Sequence, residues 1–301
     1  MNKFIFILGT LVIGTMMSAT KADAQNWSNT GQLTSLLVQV NPNDANTYSS
    51  RGNDRLMFGD LKGAIEDYTQ SLRINPNNAN VYNNRGGVRT QLGDFKGAIE
   101  DFNQSIRIAP NSSPAYYNRG HARIRLGDFK GAIEDFNQSI RNDPNDFMSY
   151  YSRGSAHLKA GDVKGAIEDY SQIIRLKPHD ITAYQNRGAA RTKLGDLKGA
   201  VEDYSQILRL NPNDVIAYYN RGATRTKLGD LKGAIEDYSQ IMRINPQDTK
   251  AYYYRGITRA DLGDKRGAIA DLQQAAKLYR KQGKISDSQR VLDKIKLISS
   301  K

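Results

Sequence analysis

Apolar and small residues in this chain recur at helical spacing, and the pattern itself repeats every 34 residues between positions 45 and 282. If the places of one period are numbered from its first residue, most copies carry Tyr at place 4, Arg-Gly at 7 and 8 and Leu-Gly-Asp from 14. Gly-Ala-Ile or Gly-Ala-Val follows from 19, an aromatic stands at 24 and Pro at 32. Each period predicts two helices. The first starts after a side chain able to cap free backbone N–H groups (Asp44, Asn78, Ser112, Asp146, Asp180, Asp214, Asp248) and stops at the glycine of place 15. The second starts at the aspartate of place 16 and ends before the proline. Leu33, Leu36, Leu37 and Val40 predict one more apolar helical face ahead of the first period. Ile285, Ser288, Val291, Leu292, Ile295 and Ile298 predict another after the last.

The place-15 glycines are Gly59, Gly93, Gly127, Gly161, Gly195, Gly229 and Gly263, and the prolines are Pro42, Pro76, Pro110, Pro144, Pro178, Pro212 and Pro246. With small residues at places 8 and 20, these series resemble the tetratricopeptide repeat, a helix-turn-helix unit of this length. The resemblance implies an all-α, right-handed α-solenoid superhelix. It would hold seven repeats at 45–78, 79–112, 113–146, 147–180, 181–214, 215–248 and 249–282, with capping helices at 25–44 and 283–301. Two places depart from the family: Arg stands at 7 where Leu is usual, and Arg, or His157 in the fourth copy, stands at 11 where Tyr is usual.

Composition narrows the function. The chain has 301 residues, no cysteine and three histidines, so thiolate metal sites and cysteine nucleophiles are absent, and no histidine pair has metal-ligand spacing on one helix. The prolines and most glycines are used by the repeat, leaving little irregular backbone for an active-site loop. We expect no enzyme, cofactor, metal or small-molecule substrate. The formal charge of +12 would ordinarily suggest nucleic acid. The first 24 residues argue otherwise: Met-Asn-Lys, an apolar run from Phe4 to Met17, and Ala22-Asp23-Ala24 read as a signal peptide cut after Ala24. Loss of Lys3, Lys21 and Asp23 lowers the charge to +11. An exported chain in the periplasm, outer envelope or medium meets proteins and polysaccharides rather than nucleic acid.

Candidate chemistry lies on the first helices. Arg at places 7 and 11 shares a helix face, and Asp at place 23 is expected to turn toward it, giving internal ion pairs such as Arg187–Asp203 and Arg221–Asp237. The alternative is a ladder of arginines open to anions. The resemblance implies that places 2, 5, 6, 9 and 12 line a concave groove. Place 6 carries Asn84, Asn118, Asn186 and Asn220, with Ser50, Ser152 and Tyr254 completing the row, and place 5 carries Tyr117, Tyr151, Tyr219 and Tyr253. Amides at regular intervals suit an extended peptide backbone. The expected partner is a protein or peptide, acidic to match the charge, held by a scaffold without chemistry of its own. Binding of envelope polysaccharide is the alternative. No place 5 carries Lys, so the clamp that some family members use for a C-terminal carboxylate is missing. From Lys277 onward the chain is rich in Lys and Arg, as a solvated cap or as a dock for an anionic partner. Between the third and fourth repeats Asn142 replaces an apolar residue, Ala160 replaces Leu and His157 replaces Arg, which predicts the weakest inter-repeat contact around residue 142.

Overall fold

The computed structural model describes residues 44–300. The expected signal peptide and the expected helix at 25–44 lie outside them, apart from Asp44. Among the described residues there are fifteen α-helices and no strands: α1 (Ala45–Met57), α2 (Leu61–Ile74), α3 (Ala79–Gln91), α4 (Phe95–Ile108), α5 (Ser113–Arg125), α6 (Phe129–Asn142), α7 (Phe147–Ala160), α8 (Val163–Leu176), α9 (Ile181–Leu194), α10 (Leu197–Leu210), α11 (Val215–Leu228), α12 (Leu231–Ile244), α13 (Thr249–Leu262), α14 (Lys265–Lys281) and α15 (Ile285–Ser299). The described residues divide into two compact units, 44–81 and 82–300.

Punctuation in the sequence becomes geometry at the helix ends. Asp230 caps α12 by accepting from the Gly233 N–H at 3.0 Å, and the same aspartate-to-glycine bond opens each second helix from α2 to α14. Gly229 ends α11 at φ 86°, a left-handed conformation that an L side chain enters only at a cost. In the middle of α11, Gly222 is required for another reason: a Cβ there would come within 3.0 Å of the Tyr238 ring.

In the first unit, α1 packs on α2 with Tyr68 fully buried, and the Ser71 hydroxyl donates to the Ala45 carbonyl at 2.7 Å. In the second unit the helices from α4 to α15 pack in succession, each on the next, the arrangement of a helical solenoid. Its core is a series of small clusters, one per neighbour contact. Ala200, Tyr204, Ile207 and Leu208 meet Ala217 of the next repeat, and Ala234, Tyr238 and Ile241 meet Ala251. Place 27 divides the copies. Ser139 is buried and bonded to the Ser113 and Ser149 hydroxyls, whereas Ile173, Ile207 and Ile241 fill the same place with apolar bulk. The last helix, α15, buries Ser288 and Val291 against α14, and the Ser288 hydroxyl donates to the Ala276 carbonyl.

The basis for a weak join at Asn142 does not hold. Its counterparts Leu176, Leu210 and Ile244 are each 39% exposed, and Leu126 and Leu194, the counterparts of Ala160, are more exposed still. The two changes therefore remove little fully buried area. The third change, His157, is the one that alters the ion-pair network of the fourth repeat.

Candidate binding groove

Arginine at place 7 is drawn inward by two elements. Arg187 donates through Nη2 to Asp203 Oδ1 at 2.6 Å and through Nε to Oδ2 at 3.1 Å, while its Nη1 reaches back to Ser171 Oγ of the preceding repeat at 3.1 Å. Arg221 does the same with Asp237 and Ser205. Its guanidinium also lies over the Tyr218 ring of its own helix. Arginine at place 11 completes the cage. Arg191 Nη1 donates to the Gly199 carbonyl and to Asp203 Oδ2, both at 3.0 Å, and its Nε lies 3.4 Å from the capping Asp196. Asp203 and Asp237 are 1% exposed. Desolvation is the largest influence on Asp237 and raises its carboxyl above the ordinary value, with Arg221 and Arg225 pulling it back down. Arginines so engaged form no ladder for an external anion.

In the fourth repeat the cage is open on one side. His157 Nδ1 lies 2.8 Å from Asp162 Oδ2, but its Nε2 is 3.9 Å from Asp169, too far for a hydrogen bond. The imidazole does not replace the bond that an arginine makes to the carbonyl of place 19. An open polar pocket of about 350 Å³ results, lined by Arg153, His157, Asp162, Lys164, Glu168 and Asp169 among others.

The row at place 6 is not uniform. Asn118 donates its amide to Asn83 Oδ1 at 3.0 Å, Ser152 is buried with its hydroxyl 3.0 Å from His121 Nε2, and Asn84 is engaged within the fold. Ser152 therefore offers no group to a groove ligand, in contrast to its expected place in the row. Asn186 and Asn220 differ. Both are half-buried, and no partner among the described residues takes their side-chain amides. Tyr254, the next residue of the row, is 43% exposed and stacks on Tyr238 with 5.8 Å between ring centroids.

Tyrosines at place 5 are anchors between repeats as much as contact surface. Tyr151 donates its hydroxyl to Asp180 Oδ1 at 2.7 Å, and Tyr219 donates to Asp248, each acceptor being the cap of the following first helix. Burial raises both phenols above their ordinary value. Tyr117 packs edge-on against His121, at 4.6 Å between centroids, and against Phe136. Tyr253 lies edge-on to Tyr254. His121 is the residue that the place pattern missed. Burial, seconded by the nearby charge of Lys159, pushes its imidazole down to about 4, so it stands neutral between Tyr117, Phe136 and Ser152.

Four models of the tetratricopeptide repeat match the chain, together spanning most of 59–282. One covers residues 117–181, a second 59–89, 86–127 and 190–229, a third 215–248 and a fourth 250–282. No curated protein matches the chain. Among solved structures, the MamA protein is 28% identical with a TM-score of 0.53, over 56% of this chain and 92% of its own. The C-terminal part of a repeat protein from Cytophaga hutchinsonii superposes with a TM-score of 0.67 at 20% identity, over 79% of this chain and 97% of its own. YrrB, described as a repeat protein with an unusual peptide-binding site, gives 0.53 at 20% identity, over 61% and 95%. Members of this family serve typically as non-catalytic scaffolds for other proteins. The fixed period, the capped helix pairs and the matches along nearly the whole array agree: the chain belongs to the tetratricopeptide repeat family.

Proposed function

We propose that this protein is an exported scaffold that holds an extended peptide, or an extended segment of a partner protein, against the first helices of its later repeats. One observation carries the reading. Asn186 and Asn220 keep unpartnered, half-buried amides at the same place of successive helices, beside the exposed ring of Tyr254. Each amide offers N–H donors and a carbonyl acceptor, the two kinds of group that a peptide bond requires. Other polar groups of the first helices are engaged within the fold: Arg187 and Arg221 on aspartates, and the Tyr151 and Tyr219 hydroxyls on helix caps. Membership of a family of protein-binding scaffolds supports the same reading, and the apolar leader ending in Ala22-Asp23-Ala24 supports export.

The test is capture of partners from an envelope extract by the purified chain and by an Asn186→Ala/Asn220→Ala variant, with circular dichroism to check that the helices persist. Two lost hydrogen bonds at about 1 kcal/mol each predict affinity lower by about 30-fold for the captured partner. Unchanged affinity would move the binding surface away from these helices.

A further inference from the structure

The place-13 residues of repeats three to six are Arg125, Lys159, Lys193 and Lys227, each exposed at the C-terminal end of its first helix. Places 6 and 13 are seven residues apart, so Asn186 with Lys193, and Asn220 with Lys227, share one helix face about 10 Å apart along the axis. None of the four cations has an ion-pair partner among the described residues, although every arginine at places 7 and 11 has one. Nor does the helix face supply one, since places 2, 5, 6, 9 and 12 of these four repeats contain no Asp or Glu. The other regularly spaced lysine, at place 18, has Glu four residues later in the first six copies, which offsets it locally. Arg125 and Lys159 each lie over an aromatic ring of the preceding repeat, Phe95 at 4.8 Å and Phe129 at 5.8 Å, whereas Lys193 and Lys227 have no such ring among the described residues.

We propose that the groove of repeats three to six selects an acidic extended peptide with one carboxylate for each repeat, an inference that rests on the peptide-holding reading above. The period follows from two lengths. Successive first helices touch, Asn118 on Asn83 and Thr192 near Thr224, and helices in contact lie about 8–10 Å apart; an extended chain advances about 3.3 Å per residue, so one repeat takes about three residues. The matching ligand carries Asp or Glu at every third position, its backbone on the amides and its carboxylates on the cations. Charge complementarity fixes the occupant: a neutral or basic peptide would leave Lys193 and Lys227 without a counter-charge and Arg125 and Lys159 with an aromatic ring alone, on a face that holds no acid.

The probes are three fluorescein-labelled peptides of about 12 residues, the length that four repeats accommodate at this rise. One carries Glu at every third position, one has the same composition with its Glu contiguous, and one has Gln for Glu. Fluorescence anisotropy is read at about 50 mM and 300 mM salt, where exposed charges are weakly and strongly screened. The spaced peptide is expected to bind at least about fivefold more tightly than the contiguous one, with the difference shrinking at high salt. A Lys159→Gln/Lys193→Gln/Lys227→Gln variant is expected to lose about tenfold for the spaced peptide and to leave the Gln peptide unchanged. Equal binding of spaced and contiguous peptides, no detectable binding of the spaced one, or indifference to the lysine variant would each overturn the inference. Asn186→Ala/Asn220→Ala separates the two failures. If it weakens all three peptides while the lysines prove irrelevant, the groove stands and the charge code falls. If it too has no effect, the groove falls.

Discussion

Asp203 sits at 1% exposure with two guanidinium groups around its carboxylate, and a charge so placed is tolerated only while its partners are complete. Asp203→Ala strands Arg187 and Arg191 and should cost about 3 kcal/mol in urea unfolding. Glu202→Ala, on the exposed side of the same helix, should change stability by no more than about 0.5 kcal/mol. Equal small losses at both would show the arginines to be solvent-facing. His121 carries the opposite lesson, a group kept neutral by burial. Its ordinary value of 6.5 falls to about 4 in the fold, so between those pH values the unfolded chain binds the proton that the folded chain refuses. Stability therefore rises with pH across that window and is lost on acidification, by about 3 kcal/mol for the full shift. The measurement is urea unfolding at about pH 7 and pH 4, at either end of the window, for the parent and for His121→Gln. The two share their aspartates, so the difference in slope belongs to the histidine, and identical slopes would refute the buried neutral ring.

At the level of the helix pair, much of the fold was legible in the sequence. Aspartate at places 16 and 34, glycine at 15 and proline at 32 act within a few residues, so local rules suffice to place the helix ends. The pairing of Arg187 with Asp203 was legible too, because a fixed separation within one helix-turn-helix unit puts the two side chains on facing surfaces. The binding row was read less well, for a reason of range. Whether an Asn or Tyr at the groove is available depends on residues about one repeat away: Asn83 for Asn118, His121 for Ser152, Asp180 for Tyr151. Periodicity makes such residues look alike when their partners differ. At the join the helical period alone does not separate core from rim: Leu176, Leu210, Ile244, Leu126 and Leu194, the counterparts of Asn142 and Ala160, are all 39% exposed or more. His157 is the real irregularity, and His157→Arg should fill the polar pocket, restore a bond to the Gly165 carbonyl and raise stability by about 1 kcal/mol. Hydrogen exchange of α7 and α8 in the parent and the variant would check it, with unchanged protection counting against the open cage.

For the array as a whole, charge is distributed in two ways. Inside each repeat it is nearly self-cancelling, arginine against aspartate and lysine against glutamate. From Thr249 to Lys301 the chain has 13 Lys and Arg against 5 Asp and Glu, so the last repeat and α15 hold much of the excess. Stability in such an array is close to a sum of unit and neighbour terms. The arginine at place 7 belongs to both terms, because it holds its own second helix and the preceding one: Arg119 reaches Asn103, Arg153 reaches Asn137, and Arg187, Arg221 and Arg255 reach Ser171, Ser205 and Ser239. In every case the acceptor lies 16 residues nearer the N-terminus. A chain that emerges N-terminus first, from a ribosome or through a membrane pore, would therefore present each new arginine to a docking site already in place. The bidentate pair with the aspartate 16 residues later would then close each repeat, so assembly would proceed one repeat at a time.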